Sequence, residues 1–196
     1  SGYVGGIVKW QKSNDNFGSN IVDIANTNAT LTGASQGALT QDTWYRVVVQ
    51  SGGGCPEALS TVIKITVNPA PNVSNFNITS GPVCSGGVAT VTVNSTTLGN
   101  GTFTVGYDLA GANAASGLTA SVTIASNSGT FSTPVLAAVG TTTVTVTSVT
   151  NASNCTAAVS SGNTTNVGVS AGPTVTINGA GEVCVGGSVT LTANPS

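Results

Sequence analysis

Three observations predict an all-β protein made of tandem immunoglobulin-like β-sandwich domains. The chain is rich in Thr, Val, Gly, Asn and Ser, and only 5% of its residues are charged. Short apolar–polar alternations recur between Gly, Asn and Pro punctuation. A shift of 100 residues superimposes the chain on itself without a gap, carrying Cys55 onto Cys155 and Cys84 onto Cys184.

Composition sets the class. Thr and Val are β-branched and suit a pleated, half-buried surface. Gly, Asn and Ser suit turns. Typical soluble domains are about a quarter charged, so hydroxyl and amide groups must hydrate this surface. A mean hydropathy of +0.28 over 196 residues leaves enough apolar material for a core. The net charge is −2, with Lys9, Lys12, Arg46 and Lys64 as the basic residues. Four cations build neither the positive stripe that nucleic acid needs nor a polybasic membrane patch. No apolar run approaches the roughly 20 residues of a membrane span.

The repeat sets the organisation. Gly81, Val83, Gly86 and Gly87 fall on Gly181, Val183, Gly186 and Gly187. Thr90, Thr92 and Asn94 fall on Thr190, Thr192 and Asn194. Internal repetition means a string of domains, and about 100 residues is the size of an immunoglobulin-type sandwich. Asn68-Pro69-Ala70-Pro71 reads as a linker, because two prolines stop a ladder and hold the chain extended. Ala171-Gly172-Pro173 stands at the equivalent place. Residues 1–70 are therefore expected to be the C-terminal part of one repeat. Residues 71–171 form a complete repeat, and 172–196 form the N-terminal part of the next. The chain is expected to belong to something longer.

Alternation and turn punctuation place the strands. In the first copy they are expected at Ile7–Ser13, Ile21–Ile24, Ala29–Gly33, Thr43–Ser51 and Leu59–Asn68. The second copy gives Asn72–Thr79, Val88–Ser95, Thr102–Ala110, Leu118–Ser126, Gly129–Ala137, Thr141–Thr150 and Ala157–Ala171. The third begins with Thr174–Asn178 and Ser188–Asn194. Within Thr142–Thr147, Val144 and Val146 take one face and threonines the other, as in a sheet with one dry side. Trp10 stands where a sandwich's third strand carries its core tryptophan. Tyr45 stands early in the sixth strand, as in a tyrosine corner.

Three stretches resemble a known family: Trp44-Tyr45-Arg46-Val47-Val48-Val49 with Gly54-Cys55, Ile65-Thr66-Val67-Asn68-Pro69, and Val183-Cys184-Val185-Gly186-Gly187-Ser188-Val189-Thr190-Leu191-Thr192. They look like the immunoglobulin-like and PKD-like repeats of giant bacterial surface adhesins exported by type IX secretion, including gliding-motility adhesins. The resemblance implies a long extracellular filament at the cell surface that touches surfaces or polysaccharide. It carries no catalytic residues.

An exported chain with four cysteines suggests disulfides. In an immunoglobulin sandwich the second and sixth strands run the same way, so Cys84, before the second, and Cys155, after the sixth, are expected at opposite ends, about 25 Å apart at roughly 3.3 Å per residue, too far for a disulfide. Three arrangements are open, the first requiring a different strand count. Cys84 bonds Cys155 within one domain; or Cys55–Cys84 and Cys155–Cys184 form in a permuted unit; or each cysteine staples its domain to a neighbouring repeat outside this stretch. No histidine is present, which excludes Ser-His-Asp and Cys-His catalysis. The acids Asp15, Asp23, Asp42, Glu57, Asp108 and Glu182 are scattered, so neither an acid/base pair nor a metal site is expected. No cofactor is expected either. Ser13-Asn14-Asp15-Asn16-Phe17-Gly18 resembles half of a calcium loop but lacks the remaining acidic ligands, and reads as a turn. Gly52-Gly53-Gly54 reads as a hairpin tip, because neither Lys-Ser/Thr nor a helix follows it. Eight Asn-x-Ser/Thr sequons follow from the composition.

The leading expectation is a non-enzymatic structural repeat in the stalk of a surface adhesin, in contact with neighbouring repeats of its own chain. The alternative is a carbohydrate-binding or accessory module of a secreted enzyme, with Trp10, Trp44 and Tyr45 as stacking rings.

Overall fold

The computed structural model describes residues 5–52, 55–179 and 181–195. It divides into two compact units, Ser1–Pro69 and Ala70–Ser196. Gly53 and Gly54 of the expected hairpin tip lie outside the described residues.

The first unit is one antiparallel sheet. Its strands are β1 (Gly6–Ser13), β2 (Val22–Ile24), β3 (Thr43–Gln50), β4 (Ala58–Leu59) and β5 (Ile63–Ile65). The order is β2-β1-β3-β4, with β5 also on β3. Residues directly opposite across an antiparallel pair share a face. Trp10 lies opposite Ile24 and Val47, and Tyr45 opposite Lys12 and Ile63. These positions make one largely apolar face. Gln11 opposite Asp23 and Arg46, and Trp44 opposite Ser13 and Lys64, make the other, polar face.

Ala29–Gly33 forms no strand. Its place is taken by a bend and a single helical turn, α1 (Gly33–Gln36). The side chain of Asn26 accepts the Asn28 amide at 2.8 Å, and the Asn28 carbonyl accepts the Trp10 indole at 3.0 Å. Those two bonds turn the chain before a ladder can start. The expected strand Leu59–Asn68 is likewise divided, into β4 and β5.

The second unit contains a complete sandwich. Its strands are β6 (Phe76–Ser80), β7 (Val83–Cys84), β8 (Gly87–Ser95), β9 (Gly101–Gly111), β10 (Ala115–Ile124), β11 (Ser128–Leu136), β12 (Gly140–Thr150), β13 (Thr156–Ala158) and β14 (Thr164–Ser170). One sheet has the order β11-β8-β6; the other has β10-β9-β12-β14-β7, with β13 on β12. β7 runs parallel to β14 while the other pairs are antiparallel. This is the immunoglobulin arrangement. The expected strand Ala157–Ala171 breaks into β13 and β14, because the chain turns at Gly162 with φ +61°.

Alternation fills the space between the sheets. In β12, Thr142, Val144, Val146 and Val149 are buried. A bulge between Val146 and Ser148 shifts the phase by one residue. Phe76, Ile78, Val91 and Val93 meet them from the other sheet in one apolar cluster with Phe103, Val105, Tyr107 and Leu109. Each such side chain contributes roughly 1.5–3 kcal/mol by leaving water.

The third copy begins as a two-stranded antiparallel sheet, β15 (Val175–Asn178) with β16 (Thr192–Pro195). β16 is shorter than the expected Ser188–Asn194 strand. Ala193, which the 100-residue shift sets on Val93, lies opposite Ile177, where Val93 lies opposite Ile78; β15 is thus one residue out of the gapless repeat register.

Candidate functional site

Strand direction places the cysteines. β8 starts beside Leu136 and ends at Ser95; β9 starts at Gly101, and Thr104 lies opposite Thr150 at the end of β12. Ser95, Gly101 and Thr150 therefore mark one end of the sandwich. The chain arrives there, since the Asn72 carbonyl accepts the Thr97 hydroxyl at 2.8 Å. Gly87, Leu136 and Gly140 mark the opposite end. Val169 lies beside both Gly140 and Val83, and the Ser85 amide donates to the Ser170 carbonyl at 2.8 Å. The chain leaves there.

Cys84 belongs to this C-terminal end, opposite Ser170. Cys155 closes the turn after β12 at the N-terminal end. Its amide donates to Asn151 Oδ1 at 3.0 Å and its carbonyl accepts the Asn151 amide at 3.1 Å. The length of β12 separates the two, about 30 Å at ~3.3 Å per residue. A disulfide needs Cα atoms within about 7 Å, so a Cys84–Cys155 bond within the sandwich is excluded. Among the described residues no disulfide joins two cysteines of this stretch. Cys55, Cys84 and Cys184 are exposed, and Cys155 is half-buried.

The three rings do not form one platform. Trp44 and Tyr45 are successive residues of β3 and point to opposite faces. On the polar face the Lys64 ammonium sits 5.0 Å from the Trp44 ring centre. On the apolar face Trp10 and Tyr45 line a groove of about 350 Å³ with Leu31, Ile63 and Ile65. Trp10 is half-buried and Tyr45 is buried. The Tyr45 hydroxyl is shut away from water and makes no hydrogen bond. The backbone bond that defines a tyrosine corner is therefore not made. Ile63 joins this face as well: the alternation Ile63-Lys64-Ile65 sets it opposite Tyr45 and turns Lys64 to the Trp44 side.

The expected calcium half-loop is a turn closed on its own acid. Asp15 accepts the Ser13 hydroxyl at 2.5 Å, the Ser19 hydroxyl at 2.7 Å and the amides of Gly18, Ser19 and Asn20. These bonds, that from Ser13 foremost, hold its carboxyl well below the usual carboxylate range. Its lone pairs are thus committed to the loop. Among the described residues, no three His, Cys, Asp or Glu side chains come together as a metal would require.

The four basic groups are also committed. Lys9 bonds Asp23 at 2.7 Å, Lys12 donates to the Gln36 carbonyl at 3.0 Å, and Lys64 bonds Asp42 at 2.6 Å. Arg46 donates to Gln11 at 2.7 Å and lies 4.0 Å from the Phe17 ring centre. The hydrogen bond from Lys9 lowers the Asp23 pKa, and that from Lys64 lowers the Asp42 pKa. Among the described residues, no helix is long and apolar enough to cross a membrane.

Residues 1–69 match a family described as a domain of unknown function, DUF8696. The matched stretch coincides with the first compact unit. No curated protein matches the chain.

Proposed function

We propose that this chain is a non-enzymatic, load-bearing repeat in the stalk of an extracellular surface adhesin. One observation carries the reading: the chain arrives at one end of the central sandwich and leaves at the other. Repeats joined by short Pro-containing segments such as Asn68–Pro71 and Ala171–Pro173 then pass tension through each domain in turn. Pulling draws β7 and β14 in opposite directions. Because these strands are parallel neighbours, their hydrogen bonds load together in shear rather than opening one by one.

Stretching the chain by its termini in a force spectrometer is the test. Residues 76–170 should open in one discrete event, lengthening the chain by roughly 300 Å from ~3.3–3.6 Å per residue. Gradual lengthening without a force peak would contradict a mechanical role.

The stalk reading also gives the cysteines a place. Cys84 at the C-terminal end of the sandwich would bond a following repeat, and Cys155 at the N-terminal end a preceding one. The 100-residue period puts a cysteine of each kind in every copy. Each staple would typically contribute about 2–4 kcal/mol. In the native parent protein, a maleimide should leave these cysteines unlabelled until a reductant is added. Full labelling without reductant would remove the staples from the proposal.

A further inference from the structure

The polar face of the first sheet is set by the alternation of its own strands. Lys9 and Gln11 of β1, Trp44 and Arg46 of β3 and Lys64 of β5 point to it, while Trp10 and Tyr45 point the other way. It is the water side of this sheet whatever packs on the apolar side. Three of the four cations of the chain stand on it. Both ring–cation contacts found among the described residues lie there too.

Arg46 differs from the two lysines. Asp23 takes Lys9 at 2.7 Å and Asp42 takes Lys64 at 2.6 Å. Among the described residues Arg46 has no carboxylate partner; its Nε donates to Gln11 Oε1 at 2.7 Å, and its terminal nitrogens make no hydrogen bond. Gln11 is itself fixed. It is buried, and its Nε2 donates to Asp23 Oδ1 at 2.7 Å, while Lys9 holds the other oxygen of that acid. The guanidinium also sits over the Phe17 ring, 4.0 Å from its centre. The loop that brings this ring is strained: Asn16 and Phe17 take left-handed φ of +57° and +63°, a region costly for a bulky side chain. The bonds to Asp15 hold it, with the Phe17 amide donating to Ser13 Oγ at 2.9 Å. A strained loop, an aromatic ring and a buried amide thus fix one guanidinium whose forked end is open.

We propose that this face binds an acidic polysaccharide, with a uronate carboxylate on the Arg46 fork and the sugar ring against Trp44. Two parallel N–H groups of a guanidinium match the two oxygens of a carboxylate. Fixing the guanidinium beforehand removes much of the ordering cost of binding. Trp44, two residues earlier on the same face, is half-buried and offers an aromatic surface to the C–H side of a pyranose. Asn14, Asn16 and Asn20 of the adjoining loop are exposed and offer amides to its hydroxyls. An extended peptide adds to a sheet edge, whereas Arg46 lies on β3, inside the sheet. The site rests on the first unit alone, so failure of the force experiment leaves it standing.

Isothermal titration of the full chain tests it, with a galacturonate oligomer as the probe. The unaltered chain should bind the oligomer and give no heat with its methyl ester, which keeps the sugar and removes the charge. Arg46→Lys keeps the cation but loses the fork, and should weaken binding about tenfold or more. Phe17→Ala leaves Arg46 in place without its ring and should also weaken binding; it decides the matter if circular dichroism shows Arg46→Lys misfolded. Lys12→Gln removes a cation from the opposite face and should bind like the unaltered chain. Absence of binding overturns the proposal, as does equal binding of the methyl ester or a folded Arg46→Lys that binds like the parent. An oligoglutamate that binds as tightly overturns it in favour of an acidic peptide. A loss in Lys12→Gln equal to that in Arg46→Lys overturns it in favour of net charge alone.

Discussion

Truncating Leu136 to alanine should lower the unfolding free energy of the central sandwich by about 2–5 kcal/mol. Leu136 ends β11 with none of its surface in water, inside the cluster formed by both sheets. The loss combines the transfer free energy of the deleted atoms with the void left behind, since two strand-fixed layers collapse little. In a domain of this size 1 kcal/mol shifts the melting temperature by about 4–8 °C, so a drop of more than about 10 °C should appear in a calorimetric scan. Val135→Ala, one residue earlier, is the control. Val135 is 61% exposed on the opposite side of the same strand, and surface changes usually stay within about 0.5 kcal/mol. Equal effects at the two positions would mean that the layer between the sheets is not the stabilising core.

The contrast between Leu136 and Val135 is the kind of information alternation carries well. A period of two records which residues share a face, and one buried face is enough to fix a strand. That is why β8, β9, β11 and β12 coincide closely with the strands expected from the sequence. The failures have local causes. Ala29–Gly33 has strand-like residues but is bent by the Asn26 and Asn28 hydrogen bonds, and side chain-to-backbone bonds leave little mark on composition. The stretch from Ala157 to Ala171 reads as one run because its threonines and valines outweigh a single glycine.

Periodicity does not say what covers a face. Trp10 and Tyr45 are legible as core positions of an immunoglobulin-like unit, yet which residues gather around them is not. The groove they share with Leu31, Ile63 and Ile65 is visible only in three dimensions. The cysteines show a related limit. Their spacing reveals the repeat, and the strand order of an immunoglobulin sandwich sets Cys84 and Cys155 at opposite ends, as the structure has them; which partner each takes is contained in neither. For the same reason Asp15 read as a fragment of a cation loop: the sequence names the acid but not the five donors already directed at it.

Gly162→Ala should destabilise the central sandwich by about 3 kcal/mol or more, from left-handed backbone strain, a lost backbone hydrogen bond and a partly opened core. Gly162 has φ +61°, and a methyl group there would lie 1.9 Å from the Phe76 carbonyl oxygen. The opposing atom is backbone, so no side chain can swing aside. Nor can the loop easily retreat. On one side the Gly162 carbonyl accepts the Ile78 amide at 3.0 Å. On the other, the Asn163 carbonyl accepts the Val146 amide at 2.8 Å, while the Asn163 side chain donates to the Val146 carbonyl at 2.8 Å. Separating β6 from this loop breaks the Ile78 bond and uncovers Phe76 and Ile78, which close that side of the core. Gly86→Ala isolates the backbone contribution. Gly86 has φ +84° but nothing within 4 Å of the added methyl, so its loss should stay near the 1–2 kcal/mol of left-handed strain alone. Denaturant unfolding of the two variants gives the comparison directly. A Gly162→Ala loss no larger than that of Gly86→Ala would mean that β6 and the Gly162 loop are not held together as tightly as their hydrogen bonds indicate.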